Sequence, residues 1–359
     1  GSRAGVIPVG GEALLVAVNP DTGHLFVVVA AGSGRQAEVY STLDWRRIAV
    51  IPLPAGAEEG IAVDSRAGKV YIACGESDTI AVIQDVAAAE VLFTSDRDGN
   101  TEVYRMLPDG REQTRLTFTP GLSETDAAGS PDGRWIAYTV TSGAGRELWR
   151  MSRNGRNAHR LTSGGPDDYN PAWSPGGEYL AFVSTRSGQP HIYRLDLATG
   201  AVTPLYVASG SAQGPDWSWA TGRIAFEYSA TGGNTVLYTM AADGSGAQQL
   251  LANPNSDAQP SWSPAGDRLV FWGTRSEQTL YRVNADGSGV VPLVSRTLRP
   301  AAPHWGPAGA DWIVFTGYRP GSGYSEVFRV SPDGAGLALL TQNEVDFDNV
   351  TGWLPGKAP

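Results

Sequence analysis

The sequence predicts an all-β fold: a six-bladed β-propeller over residues 89–359, closed by its C-terminal strand and preceded by two further blade units over 1–88. Three observations predict it. A Pro-x-Trp phrase and a Gly-containing turn both recur at intervals near 44 residues. Four short runs of strand character fill each interval. The first interval of the ring lacks one strand, and the last segment of the chain supplies it.

The first marker is read by aligning Asn170-Pro171-Ala172-Trp173 with Gly214-Pro215-Asp216-Trp217, Gln259-Pro260-Ser261-Trp262 and Ala302-Pro303-His304-Trp305, whose tryptophans stand 44, 45 and 43 residues apart. A degenerate copy upstream carries Gly129 in the Trp register, and a last copy carries Trp353. The second marker is the turn at Asp109-Gly110, Asn154-Gly155, Thr199-Gly200, Asp243-Gly244, Asp286-Gly287 and Asp333-Gly334. A fixed period is the signature of a repeat architecture. Within one period, Pro171–Ser174, Tyr179–Ser184, His191–Leu195 and Val202–Tyr206 alternate β-branched and aromatic residues between Gly/Asp/Pro clusters, the pattern of strands joined by tight turns. Four antiparallel strands per period is a propeller blade, and blades must stack to bury their faces. Trp173, Trp217, Trp262, Trp305 and Trp353 are expected as inter-blade contacts.

Closure follows from the fragments. Val91–Thr119 holds a second, third and fourth strand but no first, and Asp348–Pro355 reads as a first strand with nothing after it. The segment before the ring repeats differently: Arg47-Ile48-Ala49-Val50-Ile51-Pro52 echoes Arg3-Ala4-Gly5-Val6-Ile7-Pro8, so it reads as two blades, with Arg3–Val9 able to complete the second. One eight-bladed ring is the alternative. The junction near Val86–Glu90 drops one expected strand on each side.

Composition narrows function. Gly 45 and Pro 24 in 359 residues suit a turn-rich β protein, and 41% hydrophobic content with 11 Trp excludes disorder. A net charge of -10 repels phosphate backbones, which argues against a nucleic-acid partner. The longest apolar run, Leu25–Ala31, is too short to span a bilayer. One cysteine, Cys74, excludes an internal disulfide and a cysteine zinc site. Gly1-Ser2 reads as a cloning remnant, so the compartment is not taken from the first residues.

Ser130-Pro131-Asp132-Gly133-Arg134-Trp135-Ile136-Ala137-Tyr138, Phe93-Thr94-Ser95-Asp96-Arg97-Asp98-Gly99-Asn100 and Glu102-Val103-Tyr104-Arg105 resemble the Pro-Asp propeller repeats of the TolB-like (WD40-like) family. Residues 3–84 resemble YVTN propeller repeats of surface proteins. The TolB-like resemblance implies a protein of the periplasm or cell surface that works through protein–protein contacts in the envelope. The α/β domain that precedes the family's propeller is replaced here by the YVTN-like units. Similar propellers also accompany peptidase and lyase machinery.

Candidate chemistry is sparse. His24, His159 and His191 read as structural, whereas His304 sits on an innermost strand near the channel. No Gly-x-Ser-x-Gly elbow occurs, and Asp96–Asn100 reads as a hairpin turn, not a calcium loop. No catalytic motif or cofactor signature emerges. Acids recur before the innermost strands at Glu124, Asp168, Asp257 and Asp348, with Ala212 and Pro300 at the other two positions. On the channel rim they would suit a basic peptide or a divalent cation such as calcium. The competing reading pairs them with repeated arginines at Arg97, Arg186, Arg275 and Arg319, as structural inter-blade ion pairs. The two residue types co-occur in three blades and are both missing where Ala212 and Ala230 stand; Glu124 has Ser142 in place of an arginine. Tyr169, Tyr318, Tyr324 and Phe347, with Phe118, are expected on loops of the same face, as partner contacts or blade-edge covers.

Three functions compete at this level. A non-catalytic scaffold would bind a protein or peptide on the channel face. A carbohydrate-binding or polysaccharide-degrading protein would use unpaired channel acids, His304 and aromatics, and Arg–carboxylate pairs on the rim would exclude it. A surface-layer or adhesin module would show calcium-dependent assembly.

Overall fold

The computed structural model describes residues 7–19, 24–41, 47–64, 69–84, 89–252, 254–310, 312–342 and 345–356. The chain forms two compact units, one of Ala89–Pro355 and one of Gly1–Ala88 with Gly356–Pro359. Among the described residues no helix is long and apolar enough to cross a membrane.

The larger unit is a propeller of six four-stranded antiparallel sheets. Blade 1 pairs Glu90–Ser95, Glu102–Met106 and Thr114–Arg115 with the distant strand Asp348–Leu354, which lies innermost. Blades 2 to 6 begin with the innermost strands Ser123–Gly129, Asp168–Trp173, Ser211–Trp217, Asp257–Trp262 and Ala301–Trp305. These six innermost strands touch one another in cyclic order, so the ring closes through Asp348–Leu354. In blade 3 the other strands are Tyr179–Ser184, His191–Asp196 and Val202–Tyr206, at the places the sequence pattern puts them.

Second strands are apolar on both faces because a blade lies on either side of each. Leu180, Ala181, Phe182 and Val183 are all fully buried. Each apolar cluster accordingly joins two neighbouring blades: Trp173 packs with Ala137 and Leu148 of blade 2, and Trp217 with Ala181 and Ile192 of blade 3. Trp262 and Trp353 likewise contact the preceding blade, and Trp305 is the partly buried member of the set. The indole of Trp173 donates to the Ala128 carbonyl, and that of Trp353 to the His304 carbonyl. In blades 2 and 4 the fourth strands at the outer edge are short and polar, His159–Arg160 and Gln248–Gln249, which discourages strand addition.

Two sequence markers have a packing cause. The turn glycines of blades 1, 2, 4, 5 and 6 have positive φ and press on the preceding blade; a Cβ on Gly110 would lie 2.3 Å from the Leu340 carbonyl oxygen. Gly129 replaces the tryptophan of blade 2 because the closing strand passes there: a Cβ would sit 2.5 Å from the Trp353 oxygen and 2.7 Å from the Leu354 Cα. Since only backbone could yield, Gly129→Ala is expected to lower the stability of the ring by about 1–3 kcal/mol, measurable by urea unfolding. An effect below about 0.5 kcal/mol would show that the seam is loosely packed.

In the smaller unit, Glu12–Asn19, His24–Ala31, Gly34–Ser41 and Arg47–Leu53 form a four-stranded sheet, and Ala57–Asp64, Lys69–Cys74 and Thr79–Gln84 a three-stranded one. Their facing sides share Phe26, Val28, Val70 and Ile72, around buried Cys74. The expected completion of the second sheet by Arg3–Val9 is corrected in part. Ile7 and Val9 pack on the first sheet against Leu25, Val27 and Tyr40, because the Tyr40 hydroxyl ties down the Pro8 carbonyl. Arg3–Val6, and the junction over 85–88, lie outside the described residues.

Candidate functional site

The register acids are held by arginines. Asp168 accepts two bonds from Arg186, at 3.0 and 3.1 Å, and Asp257 is held by Arg275 at 3.1 and 2.7 Å. Asp348 closes the ring seam by taking two bonds of 3.0 Å from Arg97 of the same blade. All three aspartates are buried, and each arginine lies over aromatic rings of its own blade, such as Phe182 and Tyr193 under Arg186. Arg319 has no register acid, since Pro300 stands there, and binds buried Glu326 instead. These carboxylates therefore do not present open charge to a ligand or a cation, and the ion pairs remove the carbohydrate-binding or polysaccharide-degrading reading built on them.

Glu124 behaves differently. It is buried, accepts from the Thr119 hydroxyl, and leaves its second oxygen without a hydrogen bond. Beside it lies buried Glu102 of blade 1, which accepts from Asn100, Arg115 and the Thr119 amide and likewise has one oxygen unbonded. Burial, with the Glu102 charge adding to it, pushes Glu124 up to about 7. Burial opposes ionisation of Glu102 too, but its bonds from Thr117, Asn100 and Arg115 prevail and hold it below the usual range. Glu124 is thus a buried inter-blade carboxyl beside a second one, not an exposed contact.

The open site is the central channel, a cavity of about 820 Å³. The innermost strands of blades 2 to 6 each carry a bulge, and its residue is left-handed at Asp126, Asn170, Gly214, Gln259 and Ala302. The bulge resets the alternation, so the acids that line the channel are Asp126, Asp216 and Glu227 instead of the register acids. Asp126 accepts from the Thr139 hydroxyl at 2.9 Å, Asp216 from the Trp262 amide at 2.5 Å, and Glu227 from the Gln259 amide at 2.9 Å. Burial raises all three, Asp216 to about 6, and lowers His304, which also lines the channel, to about 4. At neutral pH His304 is uncharged and Asp216 is mostly ionised. The arginine on the wall, Arg146, is engaged by Asp167 at 3.1 Å and lies 3.5 Å over the Tyr169 ring.

Among the aromatics, Tyr169 is a buried channel-wall residue, its hydroxyl donating to Gln213, and not the loop contact expected. Phe347 is exposed and meets the half-buried Tyr324 edge-on, with centroids 5.1 Å apart. Exposed Phe118 lies under Arg115, and Tyr318 under Arg299. His191 is a structural residue, its ring bridging Ser187 and the Ala208 carbonyl. Among the described residues no group of three or more His, Cys, Asp or Glu is gathered to hold a metal ion.

Comparison with known proteins places this geometry. The family profile of the TolB beta propeller domain matches residues 122–218 and 169–353. The Protein TolB homolog of Chlorobium chlorochromatii (strain CaD3) is 31% identical over 220 residues, 60% of this chain and 48% of that protein. The Tol-Pal system protein TolB of Anaeromyxobacter dehalogenans (strain 2CP-C) is 35% identical over 149 residues, 41% of this chain and 31% of its own length. The chain therefore spans about half or less of these curated relatives. Among solved structures, one assigned to a TolB of Agrobacterium tumefaciens aligns with a TM-score of 0.57 at 20% identity, covering 73% of this chain and 97% of that one. The hydrazine synthase of Kuenenia stuttgartiensis aligns with a TM-score of 0.60 at 13% identity, over 73% and 46%. At such identities the likeness shows the fold alone.

Proposed function

This chain belongs to the TolB beta-propeller domain family, and from that premise we propose that it is a non-catalytic scaffold of the cell envelope, working in the periplasm or at the cell surface. It binds a basic segment of a protein partner at the mouth of its channel. One observation carries the reading: an open channel whose wall bears Asp126, Asp216 and Glu227, with its arginine already engaged by Asp167. Carboxylates lining an open channel with low-dielectric walls attract a cationic chain and set its register. The name of the Anaeromyxobacter dehalogenans relative, which refers to the Tol-Pal system, supports an envelope partner.

The test is capture from an envelope extract by the intact chain and by an Asp126→Asn, Asp216→Asn variant. Asparagine tolerates the left-handed backbone of position 126, so the fold is preserved while charge is removed. A partner captured by the intact chain is expected to be lost by roughly tenfold with the variant and at high salt. Equal capture by both chains would overturn the channel as the binding site.

A further inference from the structure

A second cavity, of about 380 Å³, opens where blades 4, 5 and 6 meet, lined by Glu227, Gln259, Trp272, Gln278, Arg299 and Tyr318. The repeat itself marks it as unusual. Facing the residue before the bulge, the second strand carries Thr139, Val183 and Thr316 in blades 2, 3 and 6. Among blades 2 to 6, blades 4 and 5 carry large polar or aromatic residues there, Glu227 and Trp272, and both line this cavity. Blades 4 and 6, which flank blade 5 there, lack the register acid, with Ala212 and Ala230 in blade 4 and Pro300 in blade 6, while blade 5 keeps its Asp257–Arg275 pair. Gln259, Arg299 and Ala302 are left-handed around it, at φ 54°, 46° and 47°. Backbone held in that region by non-glycine residues concentrates at functional sites.

The side chains are pre-set for a ligand. The Gln259 amide donates to one oxygen of Glu227, and the Ala302 amide donates to the Gln259 side-chain oxygen at 2.9 Å, which fixes both groups. The other Glu227 oxygen, the Gln259 side-chain nitrogen and the Gln278 amide have no hydrogen-bond partner among the described residues. Arg299 lies 4.4 Å over the Tyr318 ring with no carboxylate partner there. The apolar surface is ring, proline and alanine, without Leu, Ile, Val or Met. Planar carboxylate, amide and guanidinium groups can each bridge neighbouring hydroxyls, and the faces of Trp272 and Tyr318 suit the C–H face of a sugar ring. The volume is that of a small-ligand site.

From this juxtaposition we infer that the cavity between blades 4, 5 and 6 binds a saccharide unit of a glycan, seated against Trp272 and hydrogen-bonded by Glu227, Gln259 and Gln278. The site shares Glu227 and Gln259 with the channel wall but not the rim acids, whose ion pairs remove them from sugar chemistry, and Trp272 and Gln278 lie outside the channel lining. The test uses the full chain on an array of mono- to tetrasaccharides of neutral hexoses, N-acetylhexosamines and uronic acids, with calorimetry on any that is retained. At least one is expected to bind. Gln278→Ala, at an exposed position that folding does not depend on, should weaken it about fivefold, and Trp272→Ala about tenfold or more. Asp126→Asn, Asp216→Asn should leave it unchanged. Retention of no saccharide, or equal binding by the Gln278→Ala and Trp272→Ala variants, would overturn the assignment. So would a peptide array that binds in a Gln278-dependent way while no saccharide does.

Discussion

Arg186→Ala should destabilise the propeller by about 3–5 kcal/mol, because it strands the buried Asp168 carboxylate without the two bonds that compensate its desolvation. The reverse substitution is gentler. Arg186 is 29% exposed along its side chain and can turn to water, so Asp168→Ala is expected to cost nearer 1–2 kcal/mol. The double variant should recover much of the Arg186→Ala loss, since neither charge then remains buried. Urea unfolding of the four chains gives the coupling directly. An Arg186→Ala loss under 1 kcal/mol would mean that the pair is solvated, and the rim acids would return as candidates for a ligand.

Glu124→Gln should make stability less dependent on pH. Glu124 titrates near 7 in the fold against an ordinary value of 4.5, so between those values the folded protein keeps a proton that the unfolded chain releases. Stability from this group is therefore full below about pH 4.5 and declines as pH rises to about 7, by on the order of 2–3 kcal/mol. The channel acids Asp126, Asp216 and Glu227, also raised, slope the same way, while Glu102 slopes the other way at lower pH. The glutamine amide keeps an acceptor for Thr119 and offers Glu102 a donor that cannot ionise. Its Tm should match the parent near pH 4.5 and exceed it at pH 8. If the two chains keep the same difference at both pH values, burial does not raise Glu124 in the fold.

Most of the ring was legible because its markers have packing causes. A tryptophan every 44 residues is an inter-blade contact, and a turn glycine pressed on the preceding blade tolerates no Cβ. The acid–arginine pairing was also legible, from the blade that lacks both partners. The channel was not. A bulge is one extra residue, and alternation counted along Asp168-Tyr169-Asn170 places the wrong side chains inward once the backbone turns left-handed at Asn170. The available signal was the column before each tryptophan, where Asp216 and His304 replace small residues. Tyr169 was misplaced for the same reason, read as a loop residue when its strand starts at Asp168.

The seam between Asp348–Leu354 and Glu90–Ser95 also sets a clock on biosynthesis. Arg97 and Asp348 are 251 residues apart, which at ordinary elongation rates is roughly 10–50 s of translation. For that interval the nascent chain carries Glu90–Ser95 with its inner hydrogen-bonding edge open, although its five following blades can stack as they emerge. The edge residues Val91, Leu92 and Phe93 are apolar, so the unfinished ring has an adhesive flank until residue 354 arrives. A chaperone that shields an apolar strand edge would matter most in that window, and slowing translation near residue 340 would lengthen it.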